Sequence, residues 1–245
     1  MEDFGKMKEK MNSNKKIARI VGVLFILAAV TAIVGLVLYQ PILSDPDYLI
    51  KGAENANQVI LGALLELILV CSAVGTAIML FPYLRKHNES IALGYLCFRF
   101  LEAVIITIGI VSVLSLLSLS REFVSAVAPN LSSFQASGAL LLAVHDWTFI
   151  LGPNFMLGVN TIMCSYLLYK SKLVPRLISV LGLTGATLIL VAAVLELFGV
   201  ILQVSAWGAI LAIPVFAYEM TLAVWLIVKG FNSSAIAFVS TKTDN

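Results

Sequence analysis

Seven ionisable side chains fall inside long apolar stretches of this chain: Glu66, Arg99, Glu102, His145, Asp146, Glu196 and Glu219. A charge at the centre of a membrane helix costs about 2.5–3.5 kcal/mol even on the mildest scale, so such groups are kept where they meet one another, water or a ligand. Arg99 and Glu102 are three apart and share one face of a helix. A guanidinium offers a fork of donors that can hold two carboxylates. Glu219 is the expected second acid, reached from another helix. Such a trio suits a contact for an anion or a zwitterion. It also suits an ion pair whose only task is to fix helix packing.

The remaining four residues suggest different chemistry. Judged by their positions along the apolar runs, Glu66, His145, Asp146 and Glu196 should share a layer nearer the other end of the helices. One histidine among carboxylates suits proton or cation binding. No H-E-x-x-H spacing and no second intramembrane histidine is present, so no metal centre is expected. His145 and Asp146 are adjacent, and side chains one residue apart on a helix point about 100° apart, so they cannot both face one site squarely. Five acids stand against Arg99 and one histidine. Some of those acids must carry a proton, reach water or hold a cation.

Helix-breaking residues lie close to these groups. Gly152-Pro153-Asn154 interrupts one apolar run, and Pro214 stands five residues before Glu219. Each proline withholds a backbone donor from the carbonyl four residues earlier, which then needs another partner or a water-lined cavity. Broken helices beside charged groups are a feature of transporter sites. No G-x-S-x-G elbow, Gly-rich phosphate loop or nucleophile–base pair is visible, so an enzyme is the least favoured reading and no cofactor is implied.

These residues must be positioned by helices that live in lipid. Of 245 residues, 60% are hydrophobic and only 12% charged, and the mean hydropathy is +0.99. That is too little polar material to coat a soluble domain. The net charge of +2 suggests no nucleic-acid partner. Six runs reach the roughly 20 residues a membrane helix needs: 17–39, 59–83, 91–119, 138–169, 177–202 and 207–228. Their length argues for helices rather than barrel strands, which would be about ten residues with strict alternation. The predicted fold is therefore an all-α bundle of six transmembrane helices at 17–230. It follows a basic N-terminal segment at 1–16 and precedes a polar, disordered tail at 231–245. The first run is too long for the core of a signal peptide.

Lysine and arginine concentrate in alternate connections. The N-terminus, the Arg85-Lys86 turn, the Lys170/Lys172/Arg176 turn and the tail carry most of them, while the opposite set holds only Lys51 and Arg121. By the positive-inside rule both termini are cytoplasmic. Asp45-Pro46-Asp47 marks a polar loop on the other side. Tyr39 and Trp207 suit an interfacial aromatic belt. Cys71, Cys97 and Cys164 read as buried apolar residues. The N-x-S matches at Asn88, Asn130 and Asn232 read as chance, since two fall on the expected cytoplasmic side.

An ordered set of local patterns runs through the chain: Phe98-Arg99 with Glu102; His145 followed by Gly152 and Gly158; Tyr169-Lys170-Ser171 with Pro175-Arg176; and Glu219 with Trp225-Leu226 and Lys229-Gly230. In this order it resembles the bacterial membrane family known as domain of unknown function 4386, from about Ala18 to Gly230. Ser179 stands where that pattern leads one to expect a glycine. The resemblance implies a multi-pass protein of the bacterial cytoplasmic membrane and no particular activity. It draws attention to Arg99, Glu102, His145 and Glu219. Two readings follow from the residues. One is a protein that binds or transports a small polar or anionic solute at the charged centre, with the other acids serving protons or cations. The other is a structural or regulatory subunit whose buried charges only specify packing.

Overall fold

The computed structural model describes residues 2–235, which contain helices and no strand. Six stretches are long and apolar enough to cross a bilayer: Asn12–Leu38, Ala56–Leu84, Glu89–Ser125, Leu131–Ser171, Arg176–Leu197 and Ala206–Val228. The chain is a polytopic α-helical membrane protein. In order, the helices are α1 (Glu2–Leu38), α2 (Gln40–Leu43), α3 (Tyr48–Glu54), α4 (Ala56–Leu84), α5 (Glu89–Ser125), α6 (Leu131–Phe149), α7 (Leu157–Ser171), α8 (Arg176–Leu197) and α9 (Ala206–Val228). A π-helical segment, Ile150–Met156, joins α6 to α7 without a break.

The six spans form a closed ring in chain order. α1 packs on α4, α4 on α5, α5 on α6 and α7, α7 on α8, α8 on α9, and α9 returns to α1. Short connections make consecutive spans neighbours, and the ring gives every span an inward face. On α5 the outward residues Phe100, Val104, Ile108 and Val111 are exposed, whereas Arg99, Glu102, Ala103 and Ile106 are buried. In this part of α5 the apolar side chains face outward and the Arg99–Glu102 pair faces the ring interior, as the cost of charge in hydrocarbon favours.

Side-chain caps fix where the spans begin. Asn88 accepts from the Ile91 N–H at 2.9 Å, Asn130 from the Ser133 N–H at 3.4 Å and Ser205 from the Gly208 N–H at 3.2 Å. Each oxygen satisfies one of the donors that a helix leaves unpaired at its start. Asn88 and Asn130 of the N-x-S matches thus serve as helix caps.

Close backbone approach closes the ring between α8 and α9. A methyl group on Gly185 would lie 2.6 Å from the backbone nitrogen of Val215 and 2.8 Å from the carbonyl carbon of Pro214. Backbone cannot step aside as a flexible side chain can. Gly185→Ala is expected to destabilise the protein by about 1–3 kcal/mol. Thermal unfolding in mild detergent checks this, and an unchanged midpoint would contradict the packing described.

The two ends of the ring differ. At one end the Tyr83 hydroxyl donates to Asn14 Oδ1 at 2.8 Å, the rings of Tyr83 and Phe231 lie 4.6 Å apart, and the Asn232 N–H donates to the Leu173 carbonyl at 2.9 Å. These contacts gather the basic N-terminal region, the end of α4, the α7–α8 turn and the end of α9. At the other end α2 and α3 fold the first loop against α5, where the Ser120 hydroxyl donates to the Leu49 carbonyl at 2.8 Å. The Asp45-Pro46-Asp47 loop is therefore flanked by two short helices.

In the expected tail, Phe231 is buried and the Asn232 N–H is hydrogen-bonded to the Leu173 carbonyl; 236–245 lie outside the described residues. Two other expectations are corrected. Tyr39 is fully buried and so does not face outward as a belt residue would, whereas Trp207 is exposed. Cys71 and Cys97 face outward and only Cys164 is buried. Ser179 is buried with no hydrogen-bond partner for its hydroxyl.

Candidate binding cavity

Inside the ring lies a cavity of about 250 Å³, just below the usual range for ligand pockets. It exists because α1 presents small side chains there. Ala28, Ala29 and Ala32 line one wall, and α1 packs closely on α4 and α9 rather than on α6. Five of the seven ionisable residues line the same space: Glu66 from α4, Arg99 and Glu102 from α5, His145 from α6 and Glu219 from α9. Members of both expected layers thus line one cavity: Glu66 and His145 from one, Arg99, Glu102 and Glu219 from the other.

Arg99 organises one end. Its side chain is only 4% exposed. Nη1 donates to Glu102 Oε2 at 3.0 Å and to Oε1 at 3.4 Å. Nε donates to the Ala73 carbonyl at 3.4 Å. Nη2 lies 3.7 Å from Glu219 Oε1, beyond a hydrogen bond but within ion-pair range. Glu102 is held further by Asn160, whose Nδ2 donates to Oε2 at 2.7 Å and to the Met156 carbonyl at 2.7 Å. The α5 pair is therefore fully engaged, while Glu219 is held loosely and remains 16% exposed toward the cavity.

The other end is less satisfied. His145 is buried, yet its Nδ1 has no hydrogen-bond partner, and the same is true of the buried Tyr39 hydroxyl. The Tyr39 and His145 rings meet edge to face at 6.3 Å. The Glu66 stem fits against Gly35 of α1, where a methyl group would lie 3.0 Å from Glu66 Cγ. This close approach is what lets α4 carry a carboxylate into the ring.

Two expected members do not join the cavity. The Asp146 side chain is 72% exposed and its carboxylate lies 3.7 Å from His145 Nδ1. The turn of the helix aims His145 inward and its neighbour outward. Glu196 is buried but accepts from Asn154 Nδ2 at 2.7 Å and does not line the cavity. The expected break at Pro153 is instead the π-helical segment. Its wider turn absorbs the missing donor and keeps the helix continuous. Pro153 faces the cavity and Asn154 faces Glu196. Pro214 sits inside an unbroken α9 and is not part of the cavity lining.

Asn160, which holds Glu102, and Tyr39, which packs on His145, support the cavity without lining it, and sequence reasoning missed both. Asn160 was legible as an uncharged amide in an apolar run, a weaker signal than a charge. Tyr39 lay at the end of a run and suited a belt equally well. Among the described residues, no group of three histidine, cysteine, aspartate or glutamate side chains is arranged to hold a metal ion.

The family model for a domain of unknown function, DUF4386, matches residues 20–230. The chain belongs to the DUF4386 family. The match covers every residue that lines the cavity, so the charged centre lies within the DUF4386 unit rather than in an appendage. No curated protein and no solved structure matches the chain.

Proposed function

We propose that this DUF4386 protein binds, and carries across the membrane, a small polar solute in the cavity between Arg99 and His145. One observation carries the reading: a single cavity, open in part beside Ile33 and Leu36 of α1, is lined by three carboxylates, one guanidinium and a histidine whose Nδ1 has no hydrogen-bond partner. Groups placed only for packing would be expected to satisfy one another, as Arg99, Glu102 and Asn160 do. Glu219 is met only by Arg99 at 3.7 Å and His145 Nδ1 only by the Asp146 carboxylate at 3.7 Å, so both retain capacity for a hydrogen-bond partner.

The charge balance refines the solute. The fork of Arg99 is filled by Glu102 and faced by Glu219, which leaves little for an anion. Glu66 and Glu219, the two carboxylates beyond Glu102, favour a solute with a positive group, such as an amine or a zwitterion, or protons exchanged for it. The basic end of the ring is the cytoplasmic one on this reading, with both termini inside the bacterial cytoplasmic membrane.

A thermal-shift panel of small amines, zwitterions and carboxylates on the purified protein tests the proposal. Stabilisation by cationic or zwitterionic members is the expected result. Stabilisation by carboxylates alone would overturn the charge assignment. A second reading, a structural or regulatory subunit, draws on the tight Arg99–Glu102–Asn160 network, and stabilisation by no solute would favour it.

A further inference from the structure

A second constellation lies at the basic end of the ring and shares no residue with the cavity. Lys172, Arg176 and Lys229 line one pocket together with Pro175, Trp225 and Asn232. A second, apolar groove runs along the outward side of α9 past Met220, Val224 and Val228, and it shares Trp225 and Lys229 with the first. No carboxylate lines either one.

The basic pocket is held by the fold rather than by chance side-chain positions. Lys172 ends α7 in the left-handed region at φ 55°. Its carbonyl accepts from Asn232 Nδ2 at 3.3 Å, and the Leu173 carbonyl accepts from the Asn232 N–H at 2.9 Å. These bonds tie the α7–α8 turn to the chain leaving α9. The Arg176 guanidinium stacks over the Tyr169 ring at 4.9 Å, which uses its face and leaves its N–H edge available.

We propose that this site binds an anionic phospholipid. Lys172, Arg176 and Lys229 hold the phosphate headgroup, and an acyl chain lies in the groove beside Met220, Val224 and Val228. Arginine and lysine donors bind phosphate oxygens, and basic pockets between transmembrane helices hold anionic lipid headgroups. The continuity of the pocket with an apolar groove favours a lipid over a free phosphate, which would use only the first part.

Trp225 reports on the site directly. The full chain carrying Trp147→Phe and Trp207→Phe, whose tryptophans are both exposed, is reconstituted in phosphatidylcholine vesicles. Brominated phosphatidylglycerol or brominated phosphatidylcholine is then titrated in as a quencher. Trp225 should prefer the anionic lipid by roughly tenfold. The preference should fall to near parity in Lys172→Gln/Arg176→Gln/Lys229→Gln and persist in Arg85→Gln/Lys86→Gln, whose residues line neither pocket. Equal quenching of the unsubstituted site by both lipids would overturn the proposal without needing any charge variant to fold. An equal loss in the Arg85/Lys86 variant would also overturn it, because the effect would then be a diffuse surface field.

Discussion

Arg99→Met is expected to cost about 3–5 kcal/mol of stability, a fall of roughly 10 °C in the unfolding midpoint in mild detergent. Methionine fills much of the same space, so the loss is electrostatic in origin. Glu102 would keep its Asn160 bond but lose both contacts to Nη1, and Glu219 would face it across the ring with no cation between them. Two buried carboxylates cannot both stay ionised in that setting. A further variant separates charge from packing. Arg99→Met/Glu102→Gln/Glu219→Gln removes the uncompensated charges and should recover much of the loss, since a buried ion pair is often no better than a well-packed neutral substitute. A fall of less than about 1 kcal/mol in the single variant would mean that the trio is not the buried network described.

Glu219→Gln should act on binding and leave the fold nearly unchanged. Its carboxylate lies 3.7 Å from Arg99, outside hydrogen-bond range, and Gln retains the shape. The Arg99–Glu102–Asn160 bonds do not involve it. The unfolding midpoint should therefore move by no more than about 2 °C. Affinity for a cationic or zwitterionic solute should drop by on the order of a hundredfold, as truncating one partner of a desolvated charge pair does. Titration calorimetry with the strongest solute from the thermal-shift panel checks both halves. Unchanged affinity would remove Glu219 from the binding surface.

Much of this arrangement is readable from residue order. The six spans follow from run length and apolarity, and the Arg99–Glu102 pair follows from a spacing of three on a helix. Clustering of lysine and arginine in alternate connections anticipates that these connections meet at one end, which the Tyr83–Asn14 and Asn232–Leu173 contacts show. What could not be read is rotation about each helix axis. His145 and Asp146 are neighbours, and only the packing of α6 on α5 decides that the first lines the cavity while the second reaches out. Depth was likewise too coarse to show that Glu66 and His145 share a space with Arg99. That space depends on three small residues of α1, which carry no charge to draw notice. Pro153 marked an irregularity correctly, but its form depends on whether the chain can widen a turn in place. Glu196 was visible as a buried acid; its partner Asn154 was visible only as a helix breaker.

The most direct test of the central claim is native mass spectrometry of the protein released from mild detergent, wild type beside Glu219→Gln. The account predicts a small molecule retained by the wild type and lost from the variant, with both proteins folded to the same degree. A wild type that retains nothing, even when supplied with the amines and zwitterions of the solute panel, would contradict it and leave the buried charges as determinants of helix packing.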